Sequence, residues 1–233
     1  PDTPVEVFKD MWNTISQGKT WHGEIQDRAK DGSSFWLKHI ITPDIDNKGV
    51  IVGYTSISHD ISDKKEIERL SITDGLTKLF NRRKLDQIIQ NEIDRFDRNK
   101  QPFAVILLDL DYFKQVNDNF GHKVGDMVLI KVAKILGINI RKTDLVARWG
   151  GEEFMVVCPN TQLKGALKLA EKIRKEIEIE DFPHAGNLTS SFGVTECYEG
   201  DKADDIFIRT DRALYMAKKN GRNCVEKATD DVK

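Results

Sequence analysis

The sequence predicts an α+β molecule in two parts, a short antiparallel β segment followed by a larger unit of strands, helices and one central hairpin. Three observations carry this reading. Residues 1–62 alternate strand-like stretches with turns. From residue 82 onward, segments of helical periodicity alternate with short apolar runs. Leu145-Val-Ala147 and Phe154-Met-Val-Val157 flank a Gly150-Gly151 pair, the mark of a tight hairpin. Strand, helix, hairpin, helix, strand is the split βαβ order with an antiparallel centre.

Each element follows from local chemistry. Trp21 to Arg28 and Ser34 to Thr42 flank Lys30-Asp31-Gly32, a hairpin signal, and Val50 to Asp60 reads as a third strand. Trp12, Trp21 and Trp36 either line a cofactor pocket or fill a core, and core is the commoner fate. Residues 61–73 are polar apart from Ile61, Ile67 and Leu70, with Lys64 and Glu68 at a helical pair spacing. They read as a short helical linker able to pair with its own copy in a dimer. Arg82 to Phe96 is helical, with Leu85, Ile88, Ile89 and Ile93 on one face. Phe103 to Leu108 is an uninterrupted apolar run bounded by Pro102 and Asp109, which fits a strand buried on both faces. Side chains alternate along a strand, so Asp109 and Asp111 point the same way. A helix over 124–139 carries Val128, Leu129, Val132, Ile135 and Leu136. The hairpin spans 145–158, its glycine pair supplying the positive φ angles of a two-residue turn. A helix over 163–179 aligns Leu163, Ala166, Leu167, Ala170, Ile173 and Ile177, and a strand 189–195 and a helix 203–220 close the unit.

Composition narrows the function classes. A chain of 233 residues suits one or two domains, and a formal net charge of −2 with 39% hydrophobic residues describes an ordinary globular protein. No strongly basic face suggests nucleic-acid binding, and no apolar run is long enough to span a bilayer. Cys158, Cys197 and Cys224 lack CxxC spacing, which points to a reducing cytoplasm. The chain opens with Pro1 on what reads as the middle of a segment, so it is expected to be a piece of a longer protein, with room for a membrane anchor upstream.

The chemistry concentrates at Glu152 and Glu153, side by side at the hairpin tip. Adjacent acids at a tight turn either face water or hold a cation. Asp109 and Asp111 at the end of a buried strand favour the cation. Magnesium takes oxygen ligands, uses one or two carboxylates, and shares its other sites with water and substrate phosphate.

Arg148-Trp-Gly-Gly-Glu-Glu-Phe154 resembles the signature of the GGDEF family, the diguanylate cyclases, in its GGEEF variant. Asp74-Gly-Leu-Thr-Lys-Leu-Phe-Asn-Arg-Arg83 resembles the family's entry motif. Asp109-Leu-Asp-Tyr-Phe-Lys-Gln-Val-Asn-Asp118, followed by Gly121-His122 and Gly125-Asp126, resembles its nucleotide-binding core. Tyr215-Met-Ala-Lys-Lys-Asn-Gly-Arg-Asn223 resembles its closing helix. Upstream, Trp21-His-Gly-Glu24, Arg28-Ala-Lys-Asp-Gly-Ser33, Trp36 and Asp60-Ile-Ser62 resemble the C-terminal half of a PAS sensor domain, whose ligand stays unassigned. The resemblance implies residues 1–62 as partial sensor, 63–73 as signalling linker and 74–233 as cyclase domain, with the palm-like fold of nucleotide cyclases.

Roles are implied position by position. Two GTP molecules would be joined into cyclic di-GMP with release of two pyrophosphates. Asp109, the backbone carbonyl of Leu110, and Glu152 would hold Mg²⁺, with Mn²⁺ as a substitute. Glu152 would organise deprotonation of the attacking 3′-hydroxyl, with Glu153 as second candidate. Asn117 and Asp126 would read guanine, and His122 would shape that pocket. Phe113 and Lys114 would meet phosphate at the turn after the strand. Lys218 and Arg222, taken as i,i+4 on one helix face, would hold the β- and γ-phosphates. Arg141 and Asp144 match an RxxD site for inhibitory product, while Lys172 stands where some members carry a further Arg. Two nucleotides joined symmetrically imply a homodimer. The competing implication is a member that binds GTP or cyclic di-GMP without catalysis, whose mark would be a broken GGEEF or a lost Asp109; neither is seen.

Overall fold

The structure is a computed structural model and describes residues 3–228. Pro1, with which the chain opens, and residues 229–233 of the expected cyclase domain lie outside the described residues, as do the side chains of Arg69 and of Leu70, one of the linker's apolar positions. The chain divides into two compact units between Ser71 and Ile72.

The first unit contains α1 (Val5–Ile15) and the strands β1 (Trp21–Arg28), β2 (Ser34–Ile45) and β3 (Ile51–Asp60), which form one antiparallel sheet in that order. The strand-only reading of residues 1–62 is corrected by α1. Its Val7, Phe8, Met11 and Ile15 recur at helical spacing and pack on Trp21, Ile25 and Ile41. The three tryptophans line no common pocket. Trp21 is buried and donates its indole N–H to Asp10 at 2.8 Å, Trp12 is exposed and edge-on to Tyr54, and Trp36 lies beneath the Lys65 ammonium. The linker is helical as expected, α2 running Ser62–Ile72. Its first turn is tied to the sheet: Asp60 accepts from the Ser62 N–H at 2.8 Å, the Ser62 hydroxyl oxygen accepts from the Trp36 N–H at 2.9 Å, and Lys65 pairs with Glu24 at 2.6 Å.

The second unit is built on a six-stranded sheet. Along the chain come β4 (Phe80–Asn81), α3 (Arg82–Asn99), β5 (Phe103–Leu110), α4 (Phe113–Phe120), α5 (His122–Asn139), β6 (Leu145–Gly150), β7 (Glu153–Pro159) and α6 (Leu163–Ile179). A two-residue ribbon, β8 (Asp181–Phe182) with β9 (Gly186–Asn187), precedes β10 (Ser190–Glu196), α7 (Ala203–Lys219) and β11 (Val225–Lys227). The strand order is β11-β10-β5-β7-β6-β4, antiparallel through the central four and parallel at both edges. Every residue of β5 is buried. Its even positions face α4, α5 and α6, while Phe103, Val105 and Leu107 join the α3 and α7 side. Asp109 continues that second row, which aims it at α7.

Asn81 caps α3 by accepting from the Lys84 N–H at 3.0 Å, and Leu85, Ile88, Ile89 and Ile93 are all buried as expected. The structure adds α4, where the sequence predicts only a turn. Two turns with only Phe113 and Val116 buried are too short for periodicity to register. Cys158 and Cys197 are buried and all three cysteines are free; burial pushes the thiols of Cys158 and Cys197 up to about 12. Among the described residues no helix is long and apolar enough to cross a membrane.

Candidate functional site

The site begins where β5 ends beside the β6–β7 hairpin. Asp109 stands opposite Glu153 in the β5–β7 register, so both side chains project from one sheet face. Gly150 pairs with Glu153 and belongs to β6, leaving Gly151 and Glu152 as the loop. Only Gly151 is left-handed, at φ +49°, so one glycine rather than two supplies the turn. Glu152 therefore sits at the tip and Glu153 opens the returning strand.

Arg148 fixes this tip. Its guanidinium donates to the Gly151 carbonyl at 2.9 and 2.8 Å and reaches both Asp74 oxygens at 3.3 Å. Asp74 also accepts from the Thr77 N–H at 2.8 Å and hydroxyl at 2.7 Å. Burial alone would raise the Asp74 carboxyl, but the Thr77 hydrogen bonds and the Arg148 charge outweigh it and hold the group below its ordinary value. Trp149 carries the Arg82 guanidinium 4.1 Å from its ring centroid and meets the tilted ring of Phe207 at 4.7 Å. Sequence reasoning named both motifs and missed the bond between them.

From the other side α7 contributes Lys218, whose ammonium lies 2.8 Å from Asp109. Burial pushes the Asp109 carboxyl up; Lys218 opposes this, and the like charges of Glu152 and Asp111 add to it. Glu153 is raised as well, first by burial and then by Asp109. A divalent ion here would relieve repulsion that one ammonium offsets only in part. The implied donors, two carboxylates and the Leu110 carbonyl, are all hard oxygens, and such a set fits magnesium. Among the described residues no group of three or more His, Cys, Asp and Glu side chains forms a metal cluster, so substrate and water would have to complete the shell.

Asp111 departs from the expected carboxylate cluster. Its oxygens accept from the Ser191 hydroxyl at 2.7 Å, the Thr189 hydroxyl at 2.7 Å and the Asn223 N–H at 3.1 Å, and it is buried. It is committed to holding the sheet end and the segment after α7, not to a cation.

The residues implied for phosphate and base lie on α4, on α5 and around the end of α7. Tyr112, left-handed at φ +59°, precedes α4, whose first residues are Phe113 and Lys114. Leading N–H groups of a helix have no partner within it and can meet an anion. Arg222 does not share a helix face with Lys218. α7 ends at Lys219, and Arg222 lies beyond it at φ +65°, its N–H bonded to the Ala217 carbonyl at 3.0 Å. This is a Schellman-type close, which sequence spacing cannot distinguish from a further helical turn. Its guanidinium lies 4.6 Å over the ring of Tyr112, the residue before α4.

α4, which carries Asn117, packs closely at Gly125 against α5, which carries Asp126. A Cβ on Gly125 would lie 2.0 Å from the Asn117 side-chain oxygen. Asp126 is exposed within the first turns of α5, and His122, exposed too, is the first residue of that helix. Arg141 and Asp144 share one turn, with Asp144 accepting from the Arg141 N–H at 3.0 Å and its other oxygen buried without a partner.

The profile of the family described as diguanylate cyclase, GGDEF domain, matches residues 71–224, and a PAS domain profile matches residues 4–63. The response regulator PleD of Caulobacter vibrioides is 41% identical over 162 residues, 67% of this chain and 36% of that protein. A diguanylate cyclase of Vibrio cholerae is 40% identical over 181 residues, 75% of this chain and 56% of its own. The chain thus spans about a third to a little over half of these relatives. Among solved structures, the coiled coil and GGDEF domain of DgcB from Caulobacter crescentus, in complex with c-di-GMP, has a TM-score of 0.69 at 30% identity, covering 71% of this chain and 90% of that one. The active GGEEF domain of a Vibrio cholerae diguanylate cyclase has a TM-score of 0.62 at 38% identity, covering 65% of this chain and 98% of that one.

Proposed function

The chain belongs to the GGDEF family of diguanylate cyclases, preceded by a PAS domain, and from that premise we propose that it condenses two GTP into cyclic di-GMP and two pyrophosphates. The observation that carries the reading is the convergence of Asp109, Glu152, Glu153 and Lys218 where β5 meets the β6–β7 turn. Each 3′-hydroxyl attacks the α-phosphate of the other nucleotide, so positioning and charge stabilisation dominate over covalent chemistry. Asp109, the Leu110 carbonyl and Glu152 would hold Mg²⁺, or Mn²⁺ in its place, which when bound would lower the charge cost of attack at phosphate. Glu152 receives the hydroxyl proton, and Glu153 supports it. The amides of Phe113 and Lys114, with Lys218 and Arg222, bind phosphate. Asp126 and Asn117 accept and complement the guanine edge in a pocket bounded by His122.

The division at residues 1–62, 63–73 and 74–233 makes the cyclase the output of a sensor, working in the bacterial cytoplasm as a C₂ dimer. Arg141 and Asp144 form the inhibitory product site: Arg addresses guanine O6 and N7, and Asp the opposite edge. Incubating the chain with GTP and Mg²⁺ and following nucleotides by chromatography tests the reading. Cyclic di-GMP and pyrophosphate in a 1:2 ratio are expected from GTP and none from ATP; GTP left unreacted would overturn it.

A further inference from the structure

The segment after α7 is more elaborately built than a helix end requires. Gly221, Arg222 and Asn223 are consecutively left-handed, at φ +108°, +65° and +48°. For two residues that carry side chains this backbone is disfavoured and persists only where its surroundings impose it. Here they do so from three directions. The Arg222 N–H is held by the Ala217 carbonyl, and the Asn223 N–H by buried Asp111, itself fixed by Thr189 and Ser191. The Asn223 side chain spans to α6: its oxygen accepts from Arg174 at 2.6 Å and its nitrogen donates to Glu178 at 2.7 Å. Arg174, only 9% exposed, is aligned by a two-pronged pair with Glu171, both contacts at 2.9 Å, and by Glu178 at 2.9 Å.

We propose that Asn223, Arg174 and Asp111 form a clamp that positions Arg222 for substrate phosphate. The inference rests on the reading of Arg222 under Proposed function and goes beyond it by naming what holds that side chain. A long surface arginine samples many rotamers. The clamp fixes its Cα and launch direction, so that the guanidinium lies over Tyr112 at the entrance to α4. The left-handed backbone falls on the residue whose side chain must point away from the helix axis, which is where backbone strain serves function rather than packing.

Asn223→Gly tests this, because glycine keeps the left-handed backbone and deletes only the amide. Arg174→Met removes the other half of the contact at similar length. Steady-state cyclic di-GMP formation is measured for each, with and without Arg222→Ala, alongside Tm. Either clamp variant is expected to raise KM for GTP about tenfold, with kcat changed less. In the Arg222→Ala background the same substitution should add nothing further. Equal losses in both backgrounds, or no change in KM, would overturn the clamp. If the native chain forms no product, it is the cyclase reading that fails. GTP affinity by calorimetry then decides the clamp through the same two-background comparison, and a chain that binds no GTP overturns both.

Discussion

In the proposed reaction, guanine recognition would turn on the Asp126 carboxylate. N1–H and the 2-amino group of guanine are both donors, which one carboxylate can accept, whereas adenine offers an acceptor there. Asp126→Ala is therefore expected to lower use of GTP by roughly 10- to 100-fold, the worth of a charged hydrogen-bonded contact, and to erase the preference over ATP in a mixed-nucleotide assay. Gly125→Ala is the subtler test. Glycine to alanine inside a helix ordinarily stabilises by about 0.5–1 kcal/mol, but here the methyl would displace the Asn117 amide from 2.0 Å. An unchanged or higher Tm with a raised KM for GTP is the expected outcome. Glu152→Ala should abolish cyclisation and leave the Tm of the folded domain within a few degrees. At this scale motif and strand parity brought Asp109, Glu152 and Glu153 to one locality on paper. Parity could not say that Asp111 on the same side would be claimed by hydroxyls of Thr189 and Ser191, because that depends on which strand lies alongside.

The hairpin and the entry segment are joined by the Arg148–Asp74 pair, both side chains largely shielded at 17% and 23% exposure. Asp74 is held below its ordinary value, so the folded state favours its ionised form. Its stabilising contribution is full above the unfolded carboxylate pKa, about 4, and is lost as pH falls through the lower folded value. Asp74→Asn should accordingly lower Tm at pH 7 by several degrees, for a loss of roughly 1–2 kcal/mol, and the gap to the native protein should narrow as the melt is repeated toward pH 3. A gap independent of pH would show that charge is not what the pair contributes. Elements with long periodic faces, such as α3, α5 and α6, were legible to within a few residues. α1 was hidden because its apolar residues sit among charged ones in a region read as strands, and α4 because two turns show no period. The Schellman close of α7 was hidden because Arg222 keeps helical spacing in sequence while leaving the helix in space.

At the scale of the whole molecule, the proposed reaction, with one nucleotide per cyclase domain and a product of two equivalent halves, would require two copies face to face. Specific activity should fall on dilution through the dimer dissociation range, in step with the mass measured by light scattering, and a flat profile would argue for a stable or irrelevant assembly. Ile67 of α2 is 67% exposed, an apolar side chain available to such pairing on the linker. Sequence alone located the sensor-like strands and the helix after them, since turn chemistry and polarity are local. What would set their geometry in the proposed dimer is not local and leaves no mark in one chain. The buried cysteines have a practical outcome for that question. With Cys158 and Cys197 near 12, the thiolate fraction at pH 7 is on the order of 10⁻⁵, far too small for maleimide to compete for. A reporter cysteine placed on α2 and another on the cyclase surface would then take dye or spin label selectively once Cys224, the partly exposed third thiol, is replaced, leaving both interior sulfurs native.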